Sequence, residues 1–279
     1  MTQLARTRAE LDEMTAPSAP TAVVMTMGAL HEGHAVLMRQ ARAHVPGGRV
    51  IVTDFVNPTQ FGAGEDFDRY PRTLEADIAL CDAEGVDIVF APSVDEVYGG
   101  AGGGITIDPG PRGSILEGAS RSGHFAGMLT VVAKLLHITR PDTALFGEKD
   151  YQQLVLIRDM VRALDFRVEV VGVPTVRESD GLAMSSRNRY LSTSERARAA
   201  AIPRALDAGV QAAATGAEAA VDTARGVLES ESLDVDYVAV ASPDLGPPPD
   251  AGPARLLVAV RIDATRLIDT AAIELGVPS

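Results

Sequence analysis

The chain is 279 residues long, 46% hydrophobic, 23% charged and 4% aromatic, enough to bury one large core or two smaller ones. A formal charge of −13 excludes a broad basic face for nucleic acid, although a nucleotide can still enter a locally basic cleft. No apolar run nears the ~20 residues of a membrane span, the opening residues lack the apolar stretch of a signal peptide, and the single cysteine, Cys81, excludes an internal disulfide, so a cytoplasmic protein is expected.

Thr7 and Glu10 form a capping-box pattern that opens a short helix. A β-type run, Thr21-Ala-Val-Val-Met25, then leads into Thr26-Met-Gly-Ala-Leu-His-Glu-Gly-His34, and apolar residues at helical spacing follow from Ala35. The pattern reads as strand, tight glycine turn and helix, with His31 and His34 at the helix mouth. Gly28 allows close approach of a ligand, and the first helical N–H groups with the macrodipole suit an anion. Two readings of the histidines stand: helix caps, or donors to phosphate oxygens from one side of the first turn. Zinc is set aside, because the helical metalloprotease pattern needs its histidines four apart.

Further strands are predicted at Arg49–Phe55, Val86–Ala91, Thr143–Phe146 and Arg167–Val173. They alternate with helices over Thr73–Glu84, closed by Gly85, and over about 150–164. Cys81 falls in the first of these helices as a small packing residue. Such alternation implies a parallel sheet with right-handed crossovers, whose ligands bind beyond the carboxyl ends of its strands. The stretch from Gly99 to Gly123 is rich in Gly, Pro and Ser and reads as either a flap or a surface excursion. An apolar helix follows from His124, which either caps it or touches a ligand.

Beyond about residue 190 the texture changes. Ser192 and Glu195 make a second capping box, and an alanine-rich helical segment runs to Leu228 with breaks near Pro203 and Thr215-Gly216. Three β-type runs follow, at 235–241, 255–262 and 266–273. The expectation is an α/β protein: a Rossmann-like parallel-sheet domain over 1–174 and a smaller α+β lid domain, helices plus a short antiparallel sheet, over 175–279.

Four clusters carry chemistry. In Phe55-Val-Asn-Pro-Thr-Gln-Phe61, Asn57 and Gln60 supply neutral amides for a hydroxyl and a carboxylate, or a polar turn set by Asn57-Pro58. In Phe146-Gly-Glu-Lys-Asp-Tyr-Gln-Gln153, Lys149 is placed to draw on a phosphate, Asp150 to cap or meet a hydroxyl, and Gln153 to face the same cavity. Met184-Ser-Ser-Arg187 offers two hydroxyls and a guanidinium to a polyphosphate. Asp77 stands near a helix start, as a cap or as a magnesium ligand.

Taken together, the His-Glu-Gly-His turn, the Phe-Val-Asn-Pro-Thr-Gln-Phe and Phe-Gly-Glu-Lys-Asp-Tyr-Gln-Gln runs, and Met-Ser-Ser-Arg-Asn resemble the pantothenate synthetase family, in its order and over nearly the whole chain. The first turn alone marks the wider nucleotidyltransferase superfamily. The chain departs from the family at Met25, where a proline is usual, and at Ala76, beside the acidic position Asp77.

The resemblance implies an ATP-dependent ligase that joins pantoate to β-alanine through pantoyl adenylate, releasing pyrophosphate and AMP. It implies His31, His34, Lys149 and Arg187 as catalytic, and Met27, Gly28, Gly147, Asp150, Val176, Met184, Ser185 and Ser186 as further ATP contacts. Gln60, Gln153, Asn57 and Met27 are implied for pantoate, Asp77 for Mg2+, and a homodimer for the assembly. The alternatives are a related nucleotidyltransferase whose product keeps the nucleotide, and a non-catalytic nucleotide-binding protein.

Overall fold

Short runs of valine, isoleucine and threonine, each too apolar to face water, are covered by amphipathic helices in the first part of the chain. A computed structural model describes residues 1–15, 19–62, 64–100 and 104–276. Two compact units emerge: Met1–Gly147 with Leu156–Val173, and Glu148–Val155 with Pro174–Ser279. Of the Gly99–Gly104 run, residues 101–103 lie outside the described residues.

In the first unit the elements are β1 (Gln3–Ala5), α1 (Arg8–Met14), β2 (Thr21–Thr26), α2 (Glu32–His44), β3 (Arg49–Asp54), α3 (Leu74–Ala83), β4 (Ile88–Phe90), α4 (Val94–Tyr98), α5 (Glu117–Ser120), α6 (His124–Thr139) and β5 (Thr143–Gly147). Then come α7 (Tyr151–Ala163), whose first residues belong to the second unit, and β6 (Glu169–Val173). All six strands pair in parallel, in the order β1-β4-β3-β2-β5-β6. Ala22, Val24, Val50 and Val52 pack against Leu37, Met38 and Ala41 of α2, and Cys81 is buried in the same core.

The chain runs outward from β2 to β4 in one direction and from β5 to β6 in the other. The strand order therefore reverses between β2 and β5, and the crevice beyond their carboxyl ends is where an open parallel sheet takes a ligand.

The Thr7–Glu10 capping box forms as predicted, and α3 ends before Gly85, which takes a positive φ of 70°. One strand is additional: β1, at the sheet edge, pairs Gln3, Leu4 and Ala5 with Ile88, Val89 and Phe90. Three residues are too few to display a period.

The second unit holds α8 (Thr193–Ala199), α9 (Ala201–Ala212), α10 (Ala217–Ser230) and an antiparallel sheet of β7 (Asp234–Ala241), β8 (Gly252–Ile262) and β9 (Thr265–Leu275). Its core joins Ile202, Ala205, Leu206, Ala220, Ala224 and Leu228 to Leu256, Val258 and Val260. The Ser192–Glu195 capping box forms as well. The predicted break lies at Ala200, three residues before Pro203, which sits in the first turn of α9 where its missing N–H costs no helical bond.

Candidate active site

The expected site residues divide between the two units. In the first, β2 ends where Thr26 Oγ1 donates to the Thr53 carbonyl at 2.7 Å and accepts the Gly28 amide at 3.1 Å. Gly28 follows at φ 78°, and a Cβ there would stand 2.5 Å from Asp54 Oδ1, so any side chain would be strained and would have to displace the Asp54 carboxylate. Ala29 is also left-handed, at φ 52°, a conformation costly for a residue with a side chain.

Asp77 holds this turn in place. Its carboxylate accepts the amides of Ala29 at 3.0 Å and Leu30 at 2.8 Å, and the Thr73 hydroxyl at 3.0 Å, while only 2% exposed. The magnesium role expected of Asp77 is therefore corrected: three donors converge on the buried carboxylate, a setting for an anion's oxygens and not for a cation's ligand. Among the described residues no group of three or more His, Cys, Asp or Glu could hold a metal ion.

His31 caps α2: its Nδ1 accepts the Gly33 amide at 3.1 Å, and His34 Nδ1 accepts the His31 amide at 3.2 Å. The His31 carbonyl takes the amides of His34 and Ala35. Several amides that the sequence offered to an anion are thus engaged within the turn. The two readings of the histidines prove compatible, because an accepting Nδ1 puts the proton of a neutral ring on Nε2, the opposite nitrogen. The rings lie 4.1 Å apart, centroid to centroid, which sets the two Nε2–H groups as neighbouring donors at the helix mouth.

Asp54, behind the turn, has its carboxyl pKa pushed up to about 6, by burial first and then by the charge and hydrogen bond of Asp77. The same surroundings push the Cys81 thiol up to about 12, burial again leading, so it remains a packing residue and not a nucleophile.

The second strand leads into a 3-10 turn, Pro58–Gln60. Asn57, 1% exposed, accepts from the Thr59 amide, the Thr59 hydroxyl and the Tyr98 hydroxyl, and donates to the Gly127 carbonyl and to Gln60 Oε1. Both ends of its amide are engaged by protein. Its expected contact with pantoate is corrected to a structural one: Asn57 fixes Gln60. With Oε1 accepting from Asn57, Gln60 Nε2 points to Met27 Sδ at 3.0 Å, which joins the amide cluster to the histidine turn.

Behind Gln60 stands His124, the first residue of α6. Its Nδ1 is 2.8 Å from the Gln60 carbonyl and its Nε2 is 3.1 Å from Arg121 Nη1. Burial first, and then the Arg121 charge, lower its pKa to about 4.

In the second unit Lys149 occupies the 3-10 turn Glu148–Asp150, which follows directly on β5, with Nζ 3.7 Å from Asp150 Oδ1. The turn is braced from β8: Arg255 pairs with Glu148 at 3.1 Å and lies 3.9 Å over the Tyr151 ring, whose hydroxyl donates to the Pro243 carbonyl. On β9, Asp269 is buried and pairs with Arg177 at 2.7 Å. Burial holds the Asp269 carboxyl above its usual range, against the opposing pull of Arg177 and, more weakly, of Lys149. Gln153 lies one turn into α7, half-buried.

The Met-Ser-Ser-Arg loop closes a short hairpin in which Met184 donates its amide to the Val176 carbonyl at 2.9 Å. Ser185 caps a 3-10 turn, Ser186–Tyr190, by accepting the Arg187 amide. Asn188 donates to Glu178, and Arg196 grips Glu178 and Asp180 together, so the loop's flanks are pinned by charge. Gly147, the last residue of β5, has nothing within 4 Å of where a Cβ would stand. The protein itself thus does not demand a glycine there.

Asp54 and Asp269 were not among the expected site residues, and His124 was read only as a cap or a ligand contact. An acidic residue at a strand's carboxyl end was a signal for Asp54, and one inside an apolar strand for Asp269.

The family model described as pantoate-beta-alanine ligase matches residues 1–272. The pantothenate synthetase of Mycobacterium sp. (strain KMS) is 59% identical over 255 residues, covering 91% of this chain and 81% of that protein. That of Salinispora arenicola (strain CNS-205) is 54% identical over 284 residues, covering 99% of each. Among solved structures, pantothenate synthetase from Thermus thermophilus is similar with a TM-score of 0.91 and 46% identity, covering 97% of this chain and 99% of that one. The pantoate-beta-alanine ligase from Francisella tularensis, complexed with beta-gamma ATP and beta-alanine, has a TM-score of 0.82 and 33% identity, with 97% of each chain covered.

Proposed function

The chain belongs to the pantoate–β-alanine ligase family, and from that premise we propose how its residues divide the work of joining pantoate to β-alanine with ATP. The pantoate carboxylate attacks the α-phosphorus of ATP and pyrophosphate leaves, giving pantoyl adenylate. The β-alanine amine, in its neutral form, then attacks the acyl carbon; AMP leaves, the nitrogen gives up a proton, and pantothenate results. No side chain need become a nucleophile, because the substrate carboxylate is one, so the protein's work is positioning and stabilising charge on phosphate.

In this reading the Nε2–H groups of His31 and His34 donate to ATP phosphate oxygens, with Lys149 as a further cation. Ser185, Ser186 and Arg187 close over the phosphates. Met27, Gly28, Gly147, Asp150, Val176 and Met184 line the nucleotide, and Gln60 and Gln153 hold pantoate. The observation that carries the reading is the reciprocal capping of His31 and His34, which fixes both rings as Nε2–H donors beside the point where the strand order reverses. A cytoplasmic homodimer completes it, and a monomer mass by light scattering would contradict that part.

The discriminating experiment mixes protein, ATP and pantoate with and without β-alanine. The expected products are AMP and an amide only when all three substrates are present. A final product that still retains the nucleotide when β-alanine is present would instead favour a nucleotidyltransferase, and nucleotide binding without turnover a non-catalytic protein.

A further inference from the structure

We propose that His124 is a positioning residue for pantoate, acting through the backbone of Gln60. The N-terminal turn of α6 lies directly on the 3-10 turn that carries Gln60: a Cβ on Gly127 would stand 2.1 Å from the Thr59 carbonyl and 2.8 Å from the Gln60 amide nitrogen. From this close seat His124 donates Nδ1–H to the Gln60 carbonyl at 2.8 Å.

The carbonyl can only accept, which sets the direction of that bond, and the far side of the ring agrees. Nε2 lies 3.1 Å from Arg121 Nη1, and a guanidinium can only donate, so Nε2 accepts and the ring proton belongs to Nδ1. Arg121 is in turn locked by a forked pair of bonds to Glu65, at 2.8 and 2.6 Å. The result is a directed chain from Glu65 through Arg121 and His124 to the main chain of Gln60. The charged groups facing the ring are Arg121, Glu65 and Glu117. The depressed pKa keeps the imidazole neutral at physiological pH, as the chain of donors requires.

On the other face, Asn57 fixes the Gln60 side chain by donating to Oε1 at 3.1 Å. Main chain and side chain of Gln60 are thus held by different partners, which leaves its Nε2 group with one orientation. The inference rests on the reading of Gln60 as a pantoate contact.

The test is steady-state kinetics on purified full-length His124→Leu, His124→Asn and Arg121→Met, with Gln60→Ala in parallel. Loss of one well-formed hydrogen bond in His124→Leu is expected to raise KM for pantoate by about tenfold, while KM for ATP is unchanged. His124→Asn, whose side-chain amide N–H can stand where Nδ1–H stood, is expected to restore most of that loss. Should His124→Leu not fold, Arg121→Met removes the donor that holds Nε2 and is expected to raise KM for pantoate alone. Equal rises in both KM values, no change in either folded variant, or no rescue by asparagine would overturn the role of His124. An unchanged KM for pantoate in Gln60→Ala would instead overturn the underlying assignment of Gln60, and the proposal with it.

Discussion

Asp77 on α3 accepts the amide of Leu30 at 2.8 Å and that of Ala29 at 3.0 Å, so a residue nearly fifty positions downstream fixes the backbone of the histidine turn. Removing the carboxylate strands two amides and the Thr73 hydroxyl, beside a left-handed alanine. Asp77→Ala is expected to lower stability by about 3 kcal/mol, read from urea unfolding, and to lower activity with it. Asp77→Asn should lose less, since one oxygen still accepts while the new NH2 faces an amide donor.

Two buried groups give opposite pH dependence. The Asp54 pKa is about 6 when folded against 3.8 unfolded, so its contribution is full below 3.8 and is lost as pH rises through 6. The His124 pKa is about 4 folded against 6.5 unfolded, so its contribution is full above 6.5 and is lost as pH falls towards 4. Each is worth at most about 3 kcal/mol, and they oppose each other through the acid range. Asp54→Asn is expected to be more stable than the parent above pH 6 and to lose stability more steeply on acidification. His124→Asn should show the reverse slope. Chemical denaturation at four or five pH values checks both signs.

The histidine and lysine donors should separate from folding. His34→Ala and Lys149→Ala are each expected to reduce kcat by about 10²–10³-fold, the usual cost of one preorganised donor to developing charge. Circular dichroism and thermal melts should remain close to those of the parent for Lys149→Ala. Wild-type-like turnover in both variants would contradict their assignment.

Two glycines should behave differently. Gly28→Ala places a methyl group 2.5 Å from Asp54 Oδ1 at a φ of 78°, and is expected to destabilise the fold by about 1–3 kcal/mol. Gly147→Ala meets no protein atom within 4 Å, so stability should stay within about 0.5 kcal/mol while KM for ATP rises. An unchanged KM would show that the nucleotide does not approach there.

The sheet was largely legible because β2, β3 and β5 are apolar runs bounded by turns, and buried parallel strands carry that signature. β1 was not, since three residues at an edge are defined by their partner β4 and not by a pattern of their own. The spacing of His31 and His34 pointed to one helix face, but the tautomer depends on which amides each Nδ1 accepts, a matter of coordinates. In the sequence Asp77 and Asn57 each admit an outward role and a local one, a cap for Asp77 and a polar turn for Asn57. Their partners, Ala29 and Gly127, are remote in sequence, and only the fold brings them together. His124 stood at a helix start, where capping and ligand contact read alike. Its Nδ1–H instead reaches the Gln60 carbonyl, 64 residues away.

The central claim is that histidine and lysine donors activate a carboxylic acid by adenylylation before any amine is needed. Rapid-quench measurement of pyrophosphate, with enzyme in excess over ATP and with pantoate but no β-alanine, tests it most directly. The account predicts a fast pyrophosphate burst that requires pantoate, approaches one equivalent of the limiting ATP and is suppressed in Lys149→Ala. A burst that appears only after β-alanine is added, or that is equal in Lys149→Ala, would contradict it.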